Sequence, residues 1–188
     1  AGLLVQLDDP WITARWDQLL PNIDLTEFQK FCEARIEATN YALADIPRER
    51  VRYHICWGSW HGPHSTDIPI KHIQPLLLKV NAGAYVFEAA NVRHEHEWTV
   101  WQDVKPPEGT VLIPGVVTHA TNLIEHPELV AQRIVRLAKI VGRENVLAGT
   151  DCGFSQGPFS AKVHPSIQWA KLKALVEGAE LASKELWP

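Results

Sequence analysis

Val51-Arg-Tyr-His54-Ile-Cys56 is a short apolar run that closes on a histidine and a cysteine, and the chain repeats this design. Leu3-Leu-Val-Gln-Leu7 runs into Asp8, Tyr85-Val-Phe87 into Glu88, and Val146-Leu-Ala-Gly-Thr150 into Asp151-Cys152. A further run ends at Val117. Amphipathic stretches lie between most of them. From Glu27 to Ala44, residues Phe28, Phe31, Ile36 and Leu43 fall roughly on one side with charges opposite. From Pro127 to Val141 the pattern returns with Val130, Ile134, Leu137 and Ile140/Val141. Glu125, Pro127 and Glu128 supply an acidic first turn, and Gly142 a stop. A last helix is expected from about Ser166 to Leu186. Alternating strand and helix predicts parallel strands joined by crossovers.

The count is five strands and at least three helices in 188 residues. A TIM (β/α)₈ barrel needs eight strands and about 250 residues. The expectation is therefore an α/β chain forming the C-terminal five β/α units of such a barrel. Residues 1–188 are then expected to be the C-terminal part of a single barrel domain. A doubly wound sheet could also use five strands, but no glycine-rich phosphate loop follows the first run. The barrel accounts for the polar strand ends, because the carboxyl ends of all barrel strands converge on one face. The chain holds no methionine and opens at once on an apolar strand. Together these predict that an N-terminal portion of a larger protein is missing. Residues or a chain not present here, or a second copy, would then complete the barrel, since five strands leave two bare edges.

Those strand ends carry metal chemistry. Residues 54 and 56 differ by two, so on a strand both side chains point the same way. Zinc takes four N, S or O donors in a tetrahedron, and His54, Cys56, Glu88 and Cys152 can supply them from three strand ends. The competing readings are Cys56 as an ordinary buried cysteine and Glu88 as a surface carboxylate. Cys32, inside an amphipathic helix, reads as core. Arg93-His-Glu-His-Glu97 reads first as a solvated charge cluster in the loop after a strand, next as a substrate-contacting loop, last as a second metal site. In His61-Gly-Pro-His64 the Gly-Pro fixes a turn and either histidine can face water. Trp57 and Trp60 flank the metal strand, with core packing as the default and a pocket wall as the alternative.

Four blocks, His54-Ile-Cys56-Trp-Gly, Phe87-Glu88-Ala-Ala-Asn, Pro114-Gly-Val-Val and Asp151-Cys152-Gly, resemble the cobalamin-independent methionine synthase superfamily. The likeness is nearest to its short single-barrel members, which include epoxyalkane:coenzyme M transferase, and it runs from about Leu3 to the last helix. It implies that His54, Cys56, Glu88 and Cys152 ligate zinc. It also implies that Asp8, within Gln6-Leu-Asp8-Asp-Pro10, holds the amino group of a thiol substrate. After Pro114-Gly-Val the synthases carry an acid and then a proton-donating histidine. Here Val117-Thr-His119-Ala lacks the acid and places His119 one position early.

The expected activity is zinc-dependent alkyl or methyl transfer to a small thiol, with His119 as the candidate catalytic proton donor. Asp8 would read an amino-acid thiol, or Arg93 the sulfonate of a thiol such as coenzyme M. Zinc (Zn2+) is the expected cofactor, and a thiol acceptor and an alkyl donor are the expected partners. Two alternatives stand beside it: a TIM-barrel metal hydrolase using the histidines of Arg93–Glu97, and a non-catalytic fragment needing its missing half. A net charge of −4 gives no footprint for nucleic acid or an anionic membrane. No apolar run spans a bilayer. Three cysteines do not build a disulfide framework, so a cytoplasmic location is expected.

Overall fold

The computed structural model describes residues 2–59, 63–154 and 162–188. Its sheet has five parallel strands: β1 (Val5–Asp8), β2 (Val51–His54), β3 (Ala84–Phe87), β4 (Val111–Val117) and β5 (Gly149–Thr150). They pair strictly in chain order, β1-β2-β3-β4-β5. A doubly wound sheet reverses direction partway, whereas a β/α barrel adds each strand to the same growing side. The chain forms a half-barrel. Among the described residues β1 and β5 each have a neighbour on one side only.

Among the described residues six α-helices accompany the sheet: α1 (Trp11–Leu19), α2 (Leu25–Ala42), α3 (Gln74–Leu77), α4 (Val100–Asp103), α5 (Pro127–Val141) and α6 (Pro165–Leu186). The helix α5 has the bounds its apolar spacing predicts, and Gly142 stops it with φ +96°, a conformation costly for any side chain. The helix α2 begins two residues before Glu27, because the Asp24 side chain caps it by accepting the Glu27 N–H at 2.9 Å. Cys32 is fully buried on that helix, as expected. Glu125 does not join the first turn of α5. It turns back to accept the Thr118 N–H at 2.8 Å and to pair with the buried Lys171. The helix α1 carries a weak signal, since it buries only Ile12 and Thr13. No helix among the described residues is long and apolar enough to cross a membrane.

Side-chain alternation divides the strands between two faces. Tyr53, Tyr85, Phe87 and Leu112 join the main core with α2 and α3 residues such as Phe28, Ile36 and Leu77. Val116 and Val117 pack with Val130 and Ile134 of α5 and Ala182 of α6. On the concave face, Gln6, Asp8, Arg52, His54, Val86 and Ile113 line a cavity of about 440 Å³. Register places Asp8 beside His54 and His54 beside Val86, so one layer of that face holds both polar strand ends.

The last strand is shorter than its apolar run. Val146 makes only an isolated bridge to Leu112, and regular pairing is confined to Gly149–Thr150. A register shift in β4 between Gly115 and Val117 interrupts the ladder.

Candidate metal centre

His54 is the last residue of β2, and Cys56 lies two residues beyond the pairing rather than on the strand itself. The Ile55 N–H still bonds to Val86 O at 3.0 Å, which keeps the chain alongside β3 and brings Cys56 in with His54. Cys152 is the second residue after β5, with Asp151 between. One donor atom from each of His54, Cys56 and Cys152 falls in a group whose members all lie within 4.8 Å of one another. His54 and Cys56 are buried and Cys152 is half-buried. Among the described residues this is the one such group.

The two thiols act as a pair. The hydrogen bond from Cys56, aided by those from His54 and by the His54 and His119 charges, brings Cys152 down to about 4 against its burial. The same contact, with burial, pushes Cys56 up. The two thiols therefore share one proton more readily than either holds its own. Burial disfavours a charged His54, yet its hydrogen bond to Cys152 and the charges of Cys152, Asp8 and Glu88 raise its affinity for a proton. His54 Nδ1 is buried with no hydrogen-bond partner among the described residues. Left so, a buried polar atom costs about 1–3 kcal/mol. Two sulfurs and an imidazole at this spacing form the donor set of a zinc site, so the residues present fit that ion.

Glu88, the first residue after β3, lies outside this group. Its Oε1 accepts the Trp57 N–H at 2.9 Å, and its Oε2 accepts from Asn91 Nδ2 at 2.6 Å and Arg93 at 3.0 Å. It is buried rather than a surface carboxylate. Burial, then the neighbouring Asp151, raises it to about 7, with Arg93 opposing.

Asp151 builds the frame around these side chains. Its Oδ1 accepts the N–H groups of Ala89 and Ala90 at 2.8 Å each, and its Oδ2 accepts from Asn91 at 3.1 Å. The carboxylate reaches from the end of β5 across β4 to the loop after β3. It can cross because Gly115 offers no side chain: a Cβ there would sit 2.0 Å from Asp151 Oδ1 and 2.6 Å from its backbone. Two of the quoted blocks, Pro114-Gly115 and Asp151-Cys152, thus serve one contact. Neither Asp151 nor Asn91 stands out from sequence as a site residue. The signal was an acid next to a candidate ligand and a glycine inside a strand.

Asp8 closes β1 with its side chain 66% exposed and Oδ1 3.4 Å from His54 Nε2. His119 is buried two residues beyond β4, close enough for its charge to help lower Cys152. Arg93 is engaged twice, donating to Asp67 and to Glu88. It also borders an apolar groove of about 420 Å³ with Val92, Leu123 and Ile124.

The Arg93–Glu97 stretch is not a solvated charge cluster. His94 is buried, stacks on Trp57 at 3.8 Å between ring centroids, and holds Glu97 at 2.7 Å through Nδ1 and Asp67 at 3.3 Å through Nε2. Glu97 Oε1 also accepts the Ile70 N–H at 2.7 Å. His96 is exposed, so His94 and His96 do not face one point. His64 holds Asp67 at 2.9 Å instead of facing water, and Trp57 is core, its Nε1 donating to Ile68 O at 2.7 Å. Trp60 and His61 lie outside the described residues.

No family model matches the chain. The 2-hydroxypropyl-CoM lyase of Xanthobacter autotrophicus (strain Py2) is 26% identical over 176 residues, an alignment covering 80% of this chain and 45% of that protein. A B12-independent methionine synthase from Shewanella sp. W3-18-1, solved in complex with selenomethionine, shares the fold. Its TM-score is 0.69 at 23% identity, over 97% of this chain and 49% of that one. The chain thus spans about half the length of either. It is similar in sequence to the 2-hydroxypropyl-CoM lyase and in fold to the B12-independent methionine synthase.

Proposed function

We propose that this chain is the zinc-binding half of an alkyltransferase barrel that acts on a small thiol. The observation that carries the reading is the convergence of His54, Cys56 and Cys152 donors within 4.8 Å at the carboxyl ends of parallel strands. His54, Cys56 and Cys152 would hold a zinc ion, which would favour the thiolate form of a small thiol at neutral pH.

The chain's own residues prepare that step. Cys56 and Cys152 bring two thiolates, and Glu88 brings a carboxylate as the fourth and weakest donor. Three negative charges exceed those of the ion, which favours an electron-rich sulfur over an acidic water. This suits alkylation better than hydrolysis. Glu88 would have to give up Trp57, Asn91 and Arg93 to serve as that donor, and these partners would hold it whenever it is not one. His119, buried beside Cys152, is placed to give a proton to a leaving group. Asp8, exposed at the rim, is placed to take an ammonium. A reducing cytoplasm would keep all three cysteines free, as they are here.

The full active surface includes strands beyond these five, from a further stretch of chain or a second copy. The test is metal analysis of the purified protein. About one zinc per site is expected, with most of it lost from Cys56→Ala and Cys152→Ala. Full zinc in both variants would remove the basis of the reading.

A further inference from the structure

Helix α1 buries only Ile12 and Thr13, so apolar packing alone explains little of its placement. The turn that opens it instead grips the strand end carrying two of the metal donors. The Asp9 N–H donates to His54 O at 2.9 Å. The buried Thr13 hydroxyl donates to Cys56 O and reaches Pro10 O at 2.9 Å. The Pro10 contact is local, of a kind open to any helical threonine. The Cys56 contact joins residues 43 positions apart and ties the helix to the donor.

Cys56 O and the Trp57 N–H belong to one planar peptide unit. Thr13 holds the oxygen, and Glu88 accepts the N–H at 2.9 Å, so that plane is fixed at both ends. Just beyond it Gly58 takes φ +86°, which side chains rarely adopt, and turns its N–H to the Cys56 sulfur. The turn from Asp9 to Thr13 is itself braced. Asp9 Oδ1 accepts the Trp11 N–H at 3.1 Å and pairs with Arg35 at 3.3 Å. Its Oδ2 accepts from the Tyr53 hydroxyl at 3.1 Å, and Tyr53 precedes His54 on β2, which closes the brace on the donor strand.

We propose that Thr13, with Asp9, is a positioning residue that holds Cys56 and His54 at the spacing a metal ion needs. The proposal rests on the zinc reading of the His54, Cys56 and Cys152 group. The test is the zinc affinity of the whole chain, measured by competition with a chelator, alongside the visible spectrum of the cobalt-substituted form, which reports donor geometry. Thr13→Val keeps the shape and removes the hydroxyl. It should weaken zinc binding about ten- to a hundredfold and alter the cobalt bands, and Thr13→Ser should restore both. Ile12→Val trims a buried side chain on the same helix without touching Cys56. It should lower the unfolding midpoint and leave zinc affinity and cobalt bands as in the parent. Should Thr13→Val not fold, Thr13→Ala is read in the same way. Unchanged zinc affinity and cobalt bands in the Thr13 variant, or an equal loss in Ile12→Val, would overturn the positioning role and leave the metal centre standing. A parent chain that holds no zinc would overturn both.

Discussion

Asp151 Oδ1 accepts the N–H of Ala89 at 2.8 Å, and through that bond the strand end bearing Cys152 holds the strand end bearing Glu88. Two carboxyl groups, Glu88 and Asp151, are buried side by side, each raised by burial. Asn91 donates to both and so bridges them. The donor positions are fixed by this frame as much as by the strands. Asp151→Ala would leave two backbone N–H groups without their acceptor at about 1–3 kcal/mol each. We expect a loss of about 2–5 kcal/mol of stability, read as a lower denaturation midpoint, together with weaker zinc retention. An unchanged midpoint would mean that the bridge carries no weight.

Gly115 gives a sharper test of the same contact. A methyl group there would collide with the backbone of Asp151 as well as its carboxylate, so no side-chain rotation relieves it. Gly115→Ala should destabilise the protein at least as much as Asp151→Ala. If the double variant is no worse than either single change, both act through the one contact.

Lys171 lies fully buried on α6 and pairs with Glu125 at 2.8 Å, while Glu125 also accepts the Thr118 N–H. That chain of contacts holds the turn leading to His119. Removing one partner of a buried pair strands the other charge, at about 3–5 kcal/mol. Lys171→Met should show this loss by thermal or denaturant unfolding. Lys171→Met with Glu125→Gln should recover part of it, the amide oxygen still accepting from Thr118. No recovery would mean that the stranded charge is not the cause.

The half-barrel was legible because its strand ends carry chemistry. His54, Asp8 and Glu88 each close an apolar run, and β4 and α5 follow from unbroken apolar spacing. Cys56 and Cys152 needed only to lie near those ends, and they do. What sequence hid was set by contacts across the sheet. The brevity of β5 follows from the register shift at Gly115, which no local pattern announces. The burial of His94 and Glu97 depends on Trp57, Asp67 and Ile70, which are 24 or more positions away in the chain. The partners of Arg93 come from two loops, so its charge looked available when read along the chain alone.

Asp67 supplies the pH dependence of that loop clamp. Burial works against its charge, but His94, His64 and Arg93 hold its carboxyl well below the ordinary range. The folded state then binds fewer protons there than the unfolded state. Its contribution is present above the ordinary carboxylate value, about 4, and is lost as pH falls below it. His94, raised by Asp67 and Glu97 against burial, works in the opposite sense: its share is full at acid pH and fades as pH rises through its raised value. Unfolding midpoints measured across pH should fall on the acid side, and Asp67→Asn should flatten that limb. An acid limb unaltered by Asp67→Asn would contradict this.

The bare edges of β1 and β5 predict assembly. Parallel strands are covered on both sides in stable sheets, and exposed Leu3, Leu4 and Val5 border the open edge of β1. In solution this chain should either join a second polypeptide or a further segment that pairs with β1 and β5, or self-associate. Light scattering showing a stable monomer of the 188-residue chain would contradict the prediction.

The most direct test of the central claim is zinc-edge X-ray absorption on the metal-loaded protein, with and without a small thiol. The account predicts two sulfur neighbours at about 2.3 Å beside lighter nitrogen and oxygen donors, rising to three sulfurs when the thiol is added. A shell of nitrogen and oxygen only, or two sulfurs unchanged by saturating thiol, would contradict it.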